Sequence, residues 1–148
     1  MKNQELERKI GLLREYVEKL APYAVLDSDD LIKDEEKRAA MERWFQLMVD
    51  EAIDINTALT YQLGGKVPES YKSTFYELVG LGILEKSFAE KIAESVKVSN
   101  QMIHDYERVQ HSELIERMKG FFEPYKKYAR IIRPLSKVLN LIIMEASY

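Results

Sequence analysis

The chain has no cysteine. That excludes disulfides, thiol nucleophiles and Cys-ligated zinc or iron–sulfur clusters. Two histidines in 148 residues argue against a His-rich metal site. Long apolar runs are also lacking, and nothing reaches the roughly 20 apolar residues of a membrane span. The first nine residues, MKNQELERK, are polar and charged, unlike a secretory leader. The expected address is therefore the cytoplasm, with no membrane partner. No charge sign dominates: 22 Lys and Arg stand against 25 Asp and Glu, a net of −3. A strongly basic nucleic-acid binder is disfavoured, whereas a small local basic site is not.

Glycine (6) and proline (4) are scarce, and they punctuate a chain whose apolar period is helical. Leu6, Ile10, Leu13, Val17 and Leu20 form one stripe, and Pro22 is expected to end that helix. Met41, Trp44, Phe45, Met48, Ala52, Ile55 and Leu59 form a longer stripe. It predicts a helix over about 35–63, capped by Asp34 and ended at Gly64. A short third helix is expected over 71–79, with Phe75 and Leu78 as anchors. Ser87 and Glu90 have the spacing of a capping box for a fourth helix, which carries Phe88, Ile92 and Val96 and extends toward Met102 and Ile103. A break near 106–111 precedes a last long helix over about 112–132, which Pro124 should kink or interrupt. With 46% hydrophobic residues and no strand-like alternation, the expected fold is all-α, an up-and-down bundle of four to five helices. Residues 1–132 form that bundle. Residues 133–148 are an apolar tail expected to dock on the domain or on a partner chain.

Generic catalytic motifs are absent: no phosphate-binding Gly-rich loop, nucleophile elbow or zinc-protease helix. A di-iron bundle needs Glu-x-x-His on two helices, which this chain lacks. No metal or other cofactor is expected. The informative stretch is SVKVSNQMIHDYERV, residues 95–109. Asn100 and His104 are four apart, and Lys97 is three before Asn100, so all three share a helix face. An amide, an imidazole and an ammonium together suit an anionic ligand such as a phosphodiester. Alone, His104 would more often be a partly buried structural histidine, and Asn100 a helix bridge. Trp44 and the methionines read as core. Asp50 and Asp54 lie on one side of the long helix, where they could orient other groups.

SNQMIHDY (99–106) resembles the motif of HepT-like proteins of the HEPN superfamily, written Arg-Asn, three residues, His-x-Tyr. Asn100, His104 and Tyr106 fit it. ERWFQLMVDEAIDINTAL (42–59) is similar to that family's central helix, and VPESYKSTFYELVGLGIL (67–84) to its connector. The likeness extends over residues 4–132. One departure matters: Ser99 stands where the family has arginine, and Lys97 brings a cation two residues upstream.

The resemblance implies a toxin-type, metal-independent RNA endonuclease that acts as a homodimer and is paired with an MntA-type nucleotidyltransferase antitoxin. The catalytic positions it implies are His104, Asn100 and Ser99. Lys97 is the candidate phosphate-binding group on single-stranded RNA, and Tyr106 the candidate hydroxyl for AMP transfer by the partner. Two readings stay open. In one, Lys97 or Arg108 supplies the missing cation and reduced cleavage survives. In the other, the site is degenerate, and the chain is a module that binds the nucleotidyltransferase or a nucleotide.

Overall fold

The computed structural model describes residues 2–104 and 110–146, without the side chains at 2, 3, 104 and 143. Among the described residues there are eight helices and no strand. The all-α bundle is therefore present, but it is more finely divided than the apolar stripes suggest.

Helix α1 (Lys2–Ala24) buries Leu6, Ile10, Leu13, Val17 and Leu20 and packs chiefly along α3 (Glu35–Gln62). Pro22 does not stop α1; it lies in the last turn. Its ring removes one backbone bond there, a small loss beside the packing of the buried stripe. A short α2 (Ser28–Lys33) follows, a helix the apolar pattern does not show. The Asp27 side chain caps it, accepting from the Asp29 N–H at 2.8 Å, and Leu31 plugs it into the core.

Asp34 joins two helices. Its N–H donates to Asp30 at the end of α2, while its side chain accepts from the Lys37 N–H at 3.1 Å to start α3. This is the cap expected from the sequence. Helix α3 is the central strut, buried along Met41, Phe45, Met48, Ala52, Ile55 and Leu59. Trp44 lies at its edge, only partly buried, with the Tyr16 ring at 6.2 Å and Lys19 Nζ 5.8 Å from its ring centroid. Gly64 ends the helix at φ +73°, a left-handed conformation that costs glycine little.

Helix α4 (Ser73–Gly80) begins two residues later than the expected third helix and buries Phe75 and Leu78. Helix α5 (Lys86–His104) starts before Ser87, which lies in its first turn. Ser87 is thus not an N-cap, and the capping box does not form. Phe88, Ile92, Val96 and Met102 are buried, but Ile103 is 58% exposed. The expected single helix over 112–132 is two: α6 (His111–Gly120) and α7 (Phe122–Ile132). The break falls at Phe121, ahead of Pro124, which sits in the first turn of α7 where a missing N–H is tolerated. Helix α8 (Leu135–Ala146) touches α1 and α7. It buries Leu139 but leaves Val138, Leu141, Ile142 and Met144 exposed.

A polar seam runs through the core. Tyr128 Oη of α7 donates to Asn56 Oδ1 of α3 at 2.5 Å, and Asn56 Nδ2 donates to Thr74 Oγ1 of α4 at 3.1 Å. Tyr125 Oη lies 2.7 Å from Ser95 Oγ of α5. All five residues are buried, so these bonds fix how α3, α4, α5 and α7 meet. Burial holds both tyrosine hydroxyls well above the usual phenol range. They remain neutral donors and are not proton-transfer groups.

Candidate active site

The motif segment forms the C-terminal half of α5. An α-helix turns 100° per residue, which puts positions 97, 100, 101 and 104 on one side and 99 nearly opposite 97. Lys97 and Asn100 are exposed, whereas Ser99 is 3% exposed and faces the interior. The structure thus brings Lys97 and Asn100 together at the surface, and Ser99 does not join them. His104 is the final residue of α5, and the register places its position on the Lys97–Asn100 face. Its side chain lies outside the description, as do Tyr106 and Arg108.

Two groups not singled out from the sequence complete this face. Gln101 is one turn beyond Lys97 and three residues before position 104. Arg117 of α6 donates from Nη1 to Gln101 Oε1 at 2.6 Å. Helix α6 is anchored in turn to α2. Lys119 Nζ donates to the Leu26 carbonyl and, at 2.9 Å, to Ser28 Oγ, while Ser28 Oγ donates to Glu116. The spacing of Gln101 from Lys97 is legible in the sequence. The approach of Arg117 is not, because it depends on how α6 returns along α5.

The carboxylate described beside this face is Glu94. Lys72 of α4 pairs with it at 2.6 Å. That hydrogen bond is the main reason the Glu94 carboxyl lies below its ordinary range; the positive fields of Lys97 and Arg117 add to it. The same bond raises the Lys72 ammonium. Three cations therefore surround one carboxylate, which Lys72 already occupies.

Asp50 and Asp54 stand elsewhere. Asp54 pairs with Lys9 of α1 at 3.5 Å. Asp50 is raised above the ordinary carboxylate range by burial and by the nearby Asp54 charge, with Arg43 opposing. Glu51 is raised as well, mainly by burial, with Lys9 opposing. Among the described residues no hydrogen bond links these acids to the α5 face, and no three His, Asp or Glu converge as metal ligands. No described helix is long and apolar enough to cross a membrane. A groove of about 530 Å³ lies at the other end of α5, against α7, and is lined by Phe88, Lys91, Lys127 and Arg130 among others.

The bundle carries the amide of Asn100 and the position of His104 on the outer face of α5, at the spacing of the HEPN motif. The family model for HepT-like ribonucleases matches residues 13–132, and the chain belongs to that family. The match takes in Lys97, Ser99, Asn100, His104 and Tyr106 and ends where α7 ends, leaving α8 outside. A curated relative, the tRNA nuclease HepT of Aphanizomenon flos-aquae (strain 2012/KM1/D3), is 27% identical over 128 residues, covering 86% of each chain. The fold is similar to that of the tri-AMPylated Shewanella oneidensis HEPN toxin, solved in complex with an MNT antitoxin. The TM-score is 0.77 at 16% identity, over 86% of this chain and 96% of that one. It is equally similar to YutE of Bacillus subtilis, a cytosolic protein of unknown function. That match has a TM-score of 0.76 at 15% identity, over 91% and 90% of the two chains.

Proposed function

We infer that this protein is the toxin-type component of a toxin–antitoxin pair, an endoribonuclease that cuts RNA without a metal and is restrained by an MntA-type nucleotidyltransferase. The observation that carries this reading is the outward face of α5. Lys97 and Asn100 stand exposed in register with position 104, inside the HepT-like match. Support for the partner comes from the MNT antitoxin bound to the Shewanella oneidensis toxin, and for an RNA substrate from the name of the curated relative.

His104 is the proton-transfer group, since an ordinary imidazole, with a pKa of about 6.5, exchanges protons at neutral pH. It takes the proton from a ribose 2′-hydroxyl as that oxygen bonds to the adjacent phosphorus. The bond from phosphorus to the 5′-oxygen breaks, and the leaving oxygen takes up a proton. A 2′,3′-cyclic phosphate and a 5′-hydroxyl result. Lys97 offsets charge on the phosphate oxygens, and Asn100 donates to them. The protein acts as a homodimer, pairing two such faces around one substrate strand. AMP placed on Tyr106, two residues after His104 in the motif, adds negative charge and bulk and repels the RNA.

A second reading is favoured by one observation. Ser99, in the position of the motif arginine, is buried and presents no cation to the surface. On that reading the chain is a degenerate module that binds the transferase or a nucleotide. The deciding assay is cleavage of mixed single-stranded RNA in the presence of a chelator. Cleavage by wild type that disappears in His104→Ala supports the enzyme. Wild type as silent as His104→Ala on every RNA tried leaves the binding module.

A further inference from the structure

We propose that Arg117 takes over the phosphate contact that position 99 cannot make, so that the guanidinium of this site comes from α6 instead of α5. The proposal rests on the ribonuclease reading above and names a substrate-binding residue for it. Gln101 lies on the face shared by Lys97 and position 104, and it sits between them along the helix. Arg117 is docked on Gln101 at 2.6 Å, so its guanidinium reaches the middle of the motif face.

Gln101 is an uncharged amide, so this bond orients the guanidinium without cancelling its charge. The nearby carboxylate, Glu94, is already paired with Lys72 at 2.6 Å and feels Arg117 only as a more distant field. A guanidinium has five N–H donors. Gln101 holds one side of the fork, and the rest can meet phosphate oxygens. The arginine is partly buried, and α6 is tied to α2 through Lys119, Ser28 and Glu116. Its position is therefore set before any RNA binds. Ser99 faces inward, and Lys97 offers a point charge that lacks a planar fork.

The test measures binding and cleavage of a single-stranded RNA oligonucleotide with chelator present. It compares wild type, Arg117→Gln, Arg117→Lys and Gln101→Glu. Arg117→Gln should lose about 10²–10³-fold in cleavage rate, and the salt slope of binding should shrink by about 0.7 for one lost phosphate contact on a single strand. Arg117→Lys should keep the salt slope yet cut slowly. Gln101→Glu keeps the α5–α6 link as an ion pair but neutralises the arginine, so its RNA affinity should fall while its melting temperature holds.

Arg117→Gln that binds and cuts like wild type overturns the proposal. If Arg117→Gln melts early, Gln101→Glu decides, and undiminished RNA affinity in that variant overturns the proposal. Wild type that binds RNA without cutting it, with binding lost in Arg117→Gln, keeps Arg117 as the phosphate contact while the nuclease reading falls. Wild type that neither binds nor cuts overturns both.

Discussion

Removing one oxygen from the core, by Tyr128→Phe, tests whether the buried seam specifies the bundle. The Tyr128 hydroxyl donates to Asn56 Oδ1 at 2.5 Å and lies 3.3 Å from the Ala52 carbonyl. Phenylalanine keeps the ring and its edge contact with Phe75, whose centroid is 5.9 Å away, so no cavity opens. What changes is Asn56, which is 0% exposed. Its Nδ2 keeps Thr74, but Oδ1 loses the Tyr128 donor. A buried acceptor stripped of its donor costs about 1–3 kcal/mol, so Tyr128→Phe should destabilise the fold by about 2 kcal/mol. For a chain of this size that lowers Tm by roughly 4–8 °C.

The Asn56→Ala background sharpens the argument. There Oδ1 no longer exists to be orphaned, Tyr128 retains the Ala52 carbonyl, and Thr74 still donates to the Tyr71 carbonyl at 2.7 Å. Tyr128→Phe should then cost about 1 kcal/mol or less, giving a coupling of about 1 kcal/mol in a double-mutant cycle. Urea unfolding of all four proteins, with unchanged m-values, measures it. Equal penalties in the two backgrounds, or a Tyr128→Phe protein as stable as wild type, would refute the orphaned-acceptor argument.

Other consequences can be checked on the same purified chain. The Asp50 carboxyl is raised by burial and by Asp54, so its ionisation opposes folding. The contribution of Asp50 to stability should fall as pH rises from about 4, the ordinary carboxylate value, through the raised one. Asp50→Asn should match wild type near pH 3 and exceed it at pH 7, as read by Tm against pH; a gap that widens toward acid instead would have the wrong sign. Asp34→Ala removes the side-chain cap of α3 but leaves the backbone cap of α2. It should cost about 1 kcal/mol in urea melts, and no loss would mean the start of α3 is held by packing alone.

How much of this was legible beforehand follows the range of the forces involved. The stripes of α1 and α3, the Asp34 cap and the Gly64 stop are local or periodic properties, and they stand in the sequence as they stand in the structure. Where a local signal met a tertiary contact, the contact prevailed. Pro22 was carried inside α1 by the buried Leu13–Val17–Leu20 stripe. Ser87 was absorbed into α5 because that helix begins one residue before it. Helix α2 is not legible in the apolar pattern because its six residues, held by one buried leucine and a cap, are too few to show a period. The break at Phe121 came before Pro124, since a proline is tolerated at a helix start and so marks the opening of α7.

The site divides along the same line. The shared face of Lys97, Asn100 and position 104 is a spacing argument, and helix α5 realises that spacing. The inward direction of Ser99 follows from the same 100° turn, once it is known which side of α5 meets the core. Arg117 could not be found this way. It lies 16 residues from Gln101, and only the return of α6 along α5, pinned by Lys119 to the α2 segment, brings the two together. A substitution that deletes a motif residue on one helix need not disarm a site whose neighbouring helix can present the same chemistry. In this chain the α6 cation that meets the motif helix, Arg117 on Gln101, stands at a distance along the sequence that no motif pattern records.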